Sequence, residues 1–429
     1  MRLPQLKLRY LKIMIYDAII IGGGPAGLMA ANVLSEERVR FLLLEKNDQL
    51  GRKLLITGGK RCNVTNRYTV DQFINHLNFK HKKFLYPSLK QFGPEDVITF
   101  FKKRNLTLVL EENLKYFPET NRSSSVLEAL VYGIEKNSIK LRSNVKNIRI
   151  EDNLFSIKTS DEHYLTKRVV IATGSNAYPY TGSSGDGLHF AEKLGINVIP
   201  FTPAETHVYS AYVPNVLKDL QGVSVMNSEI KILGTKMIHH GGLLFTHFGL
   251  SGPAILHAAE DIYEAIGNGF KDITISLVDF NRHELTEKIE SSKNRNELLI
   301  KFLESITVKS LAKKVIELAE IPNKNMKEIS SKQYQVLIDT LLALKIPIDR
   351  VETTERAFVN KGGISTTELD PKTMQVKQIK GLYAIGETVD VHGPIGGFNI
   401  TIAMSAGFAA AHDIVHQIQA EKKPSKEGY

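Results

Sequence analysis

Three stretches of the chain combine chemically active side chains with glycine. "GRKLLITGGKRCNVTN", residues 51–66, holds the only cysteine, Cys62, among Arg52, Lys53, Lys60 and Arg61. "FTHFGLSGP", residues 245–253, sets Thr246 and His247 beside Gly249 and Gly252. "VDVHGPIGGFN", residues 389–399, sets His392 ahead of the pair Gly396–Gly397. A thiol or an imidazole in such a loop can donate a proton to a reacting carbon or carbonyl. Cys62 therefore has three competing roles: a packed thiol, a general acid, or half of an intermolecular disulfide. A dithiol mechanism is excluded, because the chain has no second cysteine. His247 and His392 are each a candidate proton donor and equally a structural histidine. No Ser-His-Asp order and no Cys/His spacing for zinc is present, so no metal is expected.

These loops need elements to hold them. "YDAIIIGGGPAGLMAANVL" opens with an apolar run, Ala18 to Ile21, of the kind found in buried parallel strands. Gly22, Gly24 and Gly27 follow in G-x-G-x-x-G spacing, and a helix pattern starts at Pro25 and Ala26. A second apolar run, "FLLLEK", ends at Glu45 and Lys46. Strand, glycines, helix and terminal acid form a βαβ dinucleotide fingerprint. The first glycine permits the tight turn, the second admits a pyrophosphate, and the third lets helix and strand pack closely. The helix N-terminus offers N–H groups to phosphate. Glu45 can accept both ribose hydroxyls, and its charge disfavours a 2′-phosphate.

The far end of the chain points to FAD. In "GLYAIGETVDVHGPIGGFNITIAMSAGFAAAHDIV", residues 381–415, a short strand ends in Gly386–Glu387, and Gly396–Gly397 precede a long Ala-rich helix. In two-dinucleotide flavoproteins such an acid binds the ribityl chain. The helix N-terminus, here Phe398 and Asn399, faces the pyrimidine edge of the flavin, where the helix dipole stabilises negative charge. "RVVIATGSNAYPYTGSSGDG", residues 168–187, adds a strand ending in Ala172–Thr173–Gly174, a pattern that returns the chain beside the FAD phosphates. There is one G-x-G-x-x-G only, so NADH or NADPH would dock transiently as reductant.

The chain has 429 residues, a length expected to divide into two or three domains. One cysteine suggests a reducing compartment, and a cytoplasmic location is expected. No apolar run is read as membrane-spanning. The net charge is +9, and its source is local. Residues 51–104 hold twelve Lys or Arg against Asp71, Glu95 and Asp96, a surplus of nine that equals the net charge of the whole chain. Such a block can steer a polyanion, or it can be a solvated face. "FKHKKFLYPSLKQF", residues 79–92, interleaves those cations with Phe79, Phe84, Tyr86 and Phe92.

The motifs GGGPAGLMAA (22–31), GRKLLITGGKRCNVTN (51–66), IATGSNAYPYTGSSGDG (171–187), LLFTHFGLSGPAIL (243–256) and NKGGISTTELDPKTMQVKQIKGLYAIGETVDVHGPIGGFNITIAMSAG (360–407) resemble the YhiN/BaiN-like flavoproteins over residues 14–418. That family is also labelled NAD(P)/FAD-dependent oxidoreductase or aminoacetone-oxidase-like. The resemblance implies an α/β fold, with a Rossmann-like FAD-binding domain at 14–195 and 357–418. It also implies an insertion at 196–356: a β-barrel (about 196–282 and 347–356) carrying a helical subdomain (about 283–346). Residues 1–13 form an N-terminal extension, with Met14 an alternative start, and 419–429 a charged tail. Gly22, Gly24, Pro25, Ala26, Gly27, Glu45, Lys46, Val145, Ala172, Thr173, Gly174, Gly386, Glu387, Gly396, Gly397, Phe398 and Asn399 are expected at FAD. Arg52, Lys53, Gly58 and Gly59 of the 51–66 loop join them, and His247 is expected to cap the flavin from the insertion.

Two substrate classes fall within the resemblance, steroid-like enones and uridine of large-subunit ribosomal RNA. In both, hydride adds to the β-carbon of an α,β-unsaturated carbonyl and a proton to the α-carbon. The basic block favours RNA as partner, with no DNA and no membrane. A small-molecule oxidase and a non-catalytic FAD-bearing RNA-binding protein are the alternatives. The oligomeric state stays open.

Overall fold

The structure is a computed structural model and describes residues 14–422. The extension 1–13 and the end of the charged tail lie outside the described residues. The chain forms two compact units. The first runs to Phe201 and resumes at Lys361, and the second is Thr202–Asn360. The chain passes between them through the strands Val198–Glu205 and Val359–Ile364.

The first unit is built on a five-stranded parallel sheet in the order Leu382–Ala384, Val169–Ile171, Ala18–Ile21, Phe41–Leu44, Ile139–Lys140. The three central strands are wholly buried, which is why they read as unbroken apolar runs. The helix Pro25–Glu36 starts at the cap residue Gly24, with Pro25 in the first turn, where its missing N–H leaves no bond unmade. The helix Phe398–Lys422 packs against it. A Cβ on Gly407 would come 2.3 Å from the Ala26 carbonyl oxygen, so only glycine allows the two helices to approach this closely. By length and hydropathy this 25-residue helix does reach the threshold for crossing a membrane, contrary to the sequence reading, but 72% of its apolar window is buried inside the unit. It is a core helix. Two smaller sheets flank the first, one of four strands including Val145–Glu151, the other of Thr65–Asn66, Lys115–Pro118 and Leu108–Glu111.

The second unit differs from expectation in a helix set among its strands. Its strands form a seven-stranded antiparallel sheet. The edge strands, Leu344–Pro347 and Arg350–Val351, are joined through Ile348 and Asp349, so the sheet curls on itself. Ile348 donates to the Lys271 carbonyl at 2.7 Å and Asp349 to the Tyr209 carbonyl at 2.9 Å, so residues 344–351 are hydrogen-bonded to a neighbouring strand on each side. Within the stretch read as strands lies a 15-residue helix, Pro253–Gly267. Gly252–Pro253 is its start signal, and Ala254, Ile255, Ala258, Ala259 and Ile262 line its buried face. The helical part follows as Arg282–Ser292, Leu299–Glu304, Lys309–Leu318 and Ser331–Leu342.

Candidate cofactor site and its flanking side chains

The carboxyl ends of the parallel strands gather the glycine loops along one edge of the sheet, where ligands bind in open α/β folds. Gly22 adopts φ +112, and a Cβ there would lie 2.4 Å from the Ala172 carbonyl oxygen. A Cβ on Gly27 would lie 2.0 Å from the carbonyl oxygen of Gly22. A Cβ on Gly24 would meet nothing within 4 Å. Of the three, Gly24 alone opens onto space, at the N-terminus of Pro25–Glu36, where a pyrophosphate needs close backbone approach.

Glu45 ends the strand Phe41–Leu44 and is buried. Its carboxylate accepts from the Gly23 amide at 2.8 Å, the Asn47 amide at 2.9 Å and the Asn47 side chain at 2.7 Å. The Ser143 amide donates to the Glu45 carbonyl at 2.8 Å, which brings the start of the strand at Val145 to the same end of the site. Lys46 pairs with Asp186 at 2.7 Å, and the Arg52 guanidinium donates to the Asn47 side-chain oxygen at 3.2 Å. Gly58 and Gly59 lie in left-handed conformation in an exposed turn.

Lys53 reaches across to the far end of the chain. Its ammonium lies 2.6 Å from the Glu387 carboxylate, and the Ser175 hydroxyl donates to the same oxygen at 3.0 Å. Burial pushes the Glu387 carboxyl up, but Lys53 and the hydroxyl and amide of Ser175 outweigh it and hold the group below its ordinary range. The Thr388 hydroxyl accepts from the Gly174 amide at 2.9 Å, tying the Ala172–Thr173–Gly174 turn to Gly386–Glu387. Gly386 itself takes φ +65 with Ala26 close by. Ser175, Thr388 and Asn47 escaped the sequence reading. Ser175 and Thr388 follow directly on the quoted ATG and GE motifs, and that adjacency was the available signal.

The other end of the 51–66 loop runs under the start of Phe398–Lys422. Thr65 and Thr401 hydroxyls are 2.9 Å apart, and the Asn66 amide donates to the Gly396 carbonyl at 3.2 Å. A Cβ on Gly397 would lie 2.6 Å from the Thr65 backbone and 2.7 Å from Asn63 Oδ1. That Asn63 oxygen is buried and has no hydrogen-bond partner among the described residues. Asn399 is committed internally, bonding Gly393 through both amide atoms at 2.8 and 2.7 Å. The Phe398 ring packs with Phe73 at 4.6 Å and Tyr68 at 5.8 Å.

The proton-donor candidates sit in different surroundings. Cys62 takes φ +63 and has no exposed surface. It sits in the core with Leu54, Val64 and Val126. Burial pushes its thiol up from 9.0 to about 12, with the Thr57 hydroxyl opposing. Of its three roles, packing is the one these surroundings support. His392 is buried, its ring 5.2 Å from that of Phe79. His247 is exposed in the turn between the strands Ile238–Phe245 and Gly249–Ser251, where Thr246 closes the turn by bonding Gly249. No group of three or more potential metal ligands occurs among the described residues.

The donor set fits FAD. Gly24 opens at a helix N-terminus, a carboxylate ends the second strand, and an unpartnered amide oxygen lies at the head of the second long helix. Comparison with known proteins agrees. Residues 16–413 match the HI0933-like protein Rossmann domain. The chain is 31% identical over 405 residues to the ribosomal RNA dihydrouridine synthase of Escherichia coli K12, covering 93% of this chain and 98% of that one. It is 27% identical to the 3-dehydro-bile acid delta(4,6)-reductase of Clostridium scindens, covering 91% and 97%. Among solved structures, 3-ketosteroid-delta4-(5alpha)-dehydrogenase from Rhodococcus jostii RHA1 shares the fold, with a TM-score of 0.52, 13% identity and coverage of 95% and 98%. The chain thus belongs to the HI0933-like family of FAD-type oxidoreductases.

Proposed function

We propose that the protein reduces uridine in large-subunit ribosomal RNA to dihydrouridine in the cytoplasm, with NADH or NADPH as reductant. The overall reaction balances as uridine, NAD(P)H and one proton giving dihydrouridine and NAD(P)⁺. When bound, FAD supplies hydride transfer between the nicotinamide and the β-carbon, C6, of the uracil ring. The chain's own residues hold that cofactor. Gly22, Gly24 and the first turn at Pro25 would receive the pyrophosphate, and Glu45 the adenosine ribose. Asn63 Oδ1 is free to accept an N–H of the ring system, and Glu387, kept ionised by Lys53, would receive the ribityl hydroxyls.

The observation that carries the RNA reading is the state of the basic block. Lys60, Arg67, Lys80, Lys83, Lys90, Lys102 and Lys103 are all exposed. None of the seven forms an ion pair among the described residues, although Lys53, Arg61 and Arg104 of the same block do. Unpaired surface cations are what phosphate neutralisation requires. The dihydrouridine synthase name of the E. coli and Haemophilus influenzae relatives supports the same reading.

The test uses purified, FAD-loaded protein, NADH or NADPH, and large-subunit ribosomal RNA from cells lacking the gene. Dihydrouridine appearing in the RNA as nicotinamide is consumed is the expected result. Nicotinamide oxidation with no new dihydrouridine would overturn the RNA reading. The bile-acid reductase relative favours a steroid-like enone as the second substrate class.

A further inference from the structure

The insertion unit carries a cluster of rings and charges around Tyr209. The strand Val208–Tyr209 lies between Gly249–Ser251 and Arg350–Val351 and is antiparallel to both. Val208 stands opposite Leu250 and Val351, and all three are buried. Alternation places Tyr209, opposite Gly249 and Arg350, on the other face. Gly249 has to be glycine there, because at φ +156 a Cβ would come 2.2 Å from the Val208 carbonyl oxygen.

Neighbouring rings gather at that face. Phe248 brings its ring to 5.1 Å from Tyr209 and 4.6 Å from His207. His207 and Tyr209 rings are 5.4 Å apart, and His247 adds a ring 5.0 Å from Phe248. The Arg350 guanidinium carbon lies 3.5 Å from the centre of the Tyr209 ring. One buried carboxylate ties the group together. Glu352 accepts the Tyr209 hydroxyl at 2.7 Å and the Thr353 amide at 2.8 Å, and lies 3.2 Å from His207 and 3.4 Å from Arg350. Burial holds His207 below its ordinary range, which leaves a neutral imidazole near pH 7.

A packing cluster would close over its rings, but here the Arg350 side chain is 52% exposed, His247 is exposed, and Tyr209 and Phe248 are half-buried. We propose that Tyr209, His207 and Phe248, with Arg350, form a platform that stacks an unpaired base of single-stranded RNA. The choice of occupant rests on the RNA reading above. Every base has a π-face that an aromatic ring can receive. An arginine already stacked on that ring adds positive charge beside the phosphate at little entropic cost. Glu352 fixes the Tyr209 and His207 rings before the base arrives.

The probe is a fluorescein-labelled oligouridylate, its anisotropy titrated with the FAD-loaded full chain at several salt concentrations. Tyr209→Leu is expected to weaken binding about tenfold, with an unchanged slope of log K against log salt. Tyr209→Phe, which keeps the ring and loses its bond to Glu352, is expected to weaken binding less than Tyr209→Leu does. Arg350→Gln should weaken binding and lower the salt slope by about one. Phe248→Leu, in the exposed turn, is the second ring deletion should Tyr209→Leu lose FAD or melt early. Wild-type affinity in both ring deletions would overturn the proposal, as would a Tyr209→Phe variant as weak as Tyr209→Leu. The dihydrouridine count in ribosomal RNA judges the substrate separately. If the wild-type gene restores dihydrouridine while the ring deletions bind normally, the platform falls and the function stands. If the gene has no effect on dihydrouridine, the function falls and takes the reason for an RNA occupant with it.

Discussion

The Lys53 ammonium lies 2.6 Å from the Glu387 carboxylate and joins segments 334 residues apart in sequence. Both side chains are about a quarter exposed. Lys53→Met leaves Glu387 desolvated without its cation, and should cost about 1–3 kcal/mol at neutral pH. Because the Glu387 carboxyl is held below its ordinary range, its contribution is present above the unfolded carboxylate range and is lost as pH falls through the depressed value. Lys53→Met raises that value towards or above the unfolded one, so the acid-dependent loss due to Glu387 should shrink. Denaturant midpoints across the acid range would show it. A profile superimposable on the wild type would contradict the pairing, and a Lys53→Met/Glu387→Gln double variant should recover part of the loss.

The glycines of the first turn should separate by phenotype. Gly24 has φ −83 and open space where a Cβ would point. Gly24→Val should fold with a melting temperature near that of the wild-type apoprotein, yet retain FAD at least about tenfold less well. Gly27→Ala drives a methyl to within 2.0 Å of the Gly22 carbonyl oxygen and should destabilise the fold by about 1–3 kcal/mol or more. Melting curves with and without added FAD test both. A Gly24→Val protein that binds FAD normally would contradict the phosphate placement.

Cys62 should be inert in the folded protein. Its buried thiol, pushed up to about 12, should not react with a disulfide reagent at pH 8 until denaturant is added. The folded value lies above the unfolded one, so this stabilising term is complete below the unfolded thiol value. It is lost as pH rises towards the folded value, by about 1.4 kcal/mol per pH unit. Cys62→Ala should remove that alkaline slope and keep turnover. Prompt labelling of the native protein, or a turnover loss of about a hundredfold in a folded Cys62→Ala, would restore the proton-donor role.

The exposed cations should act through phosphate. Lys102→Gln/Lys103→Gln is expected to weaken ribosomal RNA binding uniformly and to lower the salt slope by up to about two, without changing FAD content. Filter binding at graded salt measures it. An unchanged slope would assign these two lysines to a solvated surface.

The first unit was largely legible from sequence because its signals are local. An all-buried parallel strand shows as "AIII", and the turn that follows must show as glycines, because a side chain at Gly22 or Gly27 has nowhere to go. The insertion was less legible. The helix Pro253–Gly267 was announced by Gly252–Pro253, but β-branched runs on both sides masked it. The pairing of residues 344–351 with a strand on each side depends on register, which alternation alone does not encode. Pairs brought together only by folding stayed hidden. Lys53 and Glu387 were each expected at FAD, and their pairing with one another was not read. The ring cluster draws His207–Tyr209, Phe248 and Arg350 from three separate segments. Cys62 stood out as the only thiol, but its complete burial, which depends on the fold around it, did not.

The central claim is that this FAD-type oxidoreductase reduces uridine in ribosomal RNA. Nucleoside mass spectrometry of large-subunit ribosomal RNA, from cells with the gene, without it, and complemented with wild type or Gly24→Val, tests it most directly. Dihydrouridine that is lost on deletion, restored by the wild type and not restored by Gly24→Val is the predicted result. A dihydrouridine content that is the same in all four strains would contradict it.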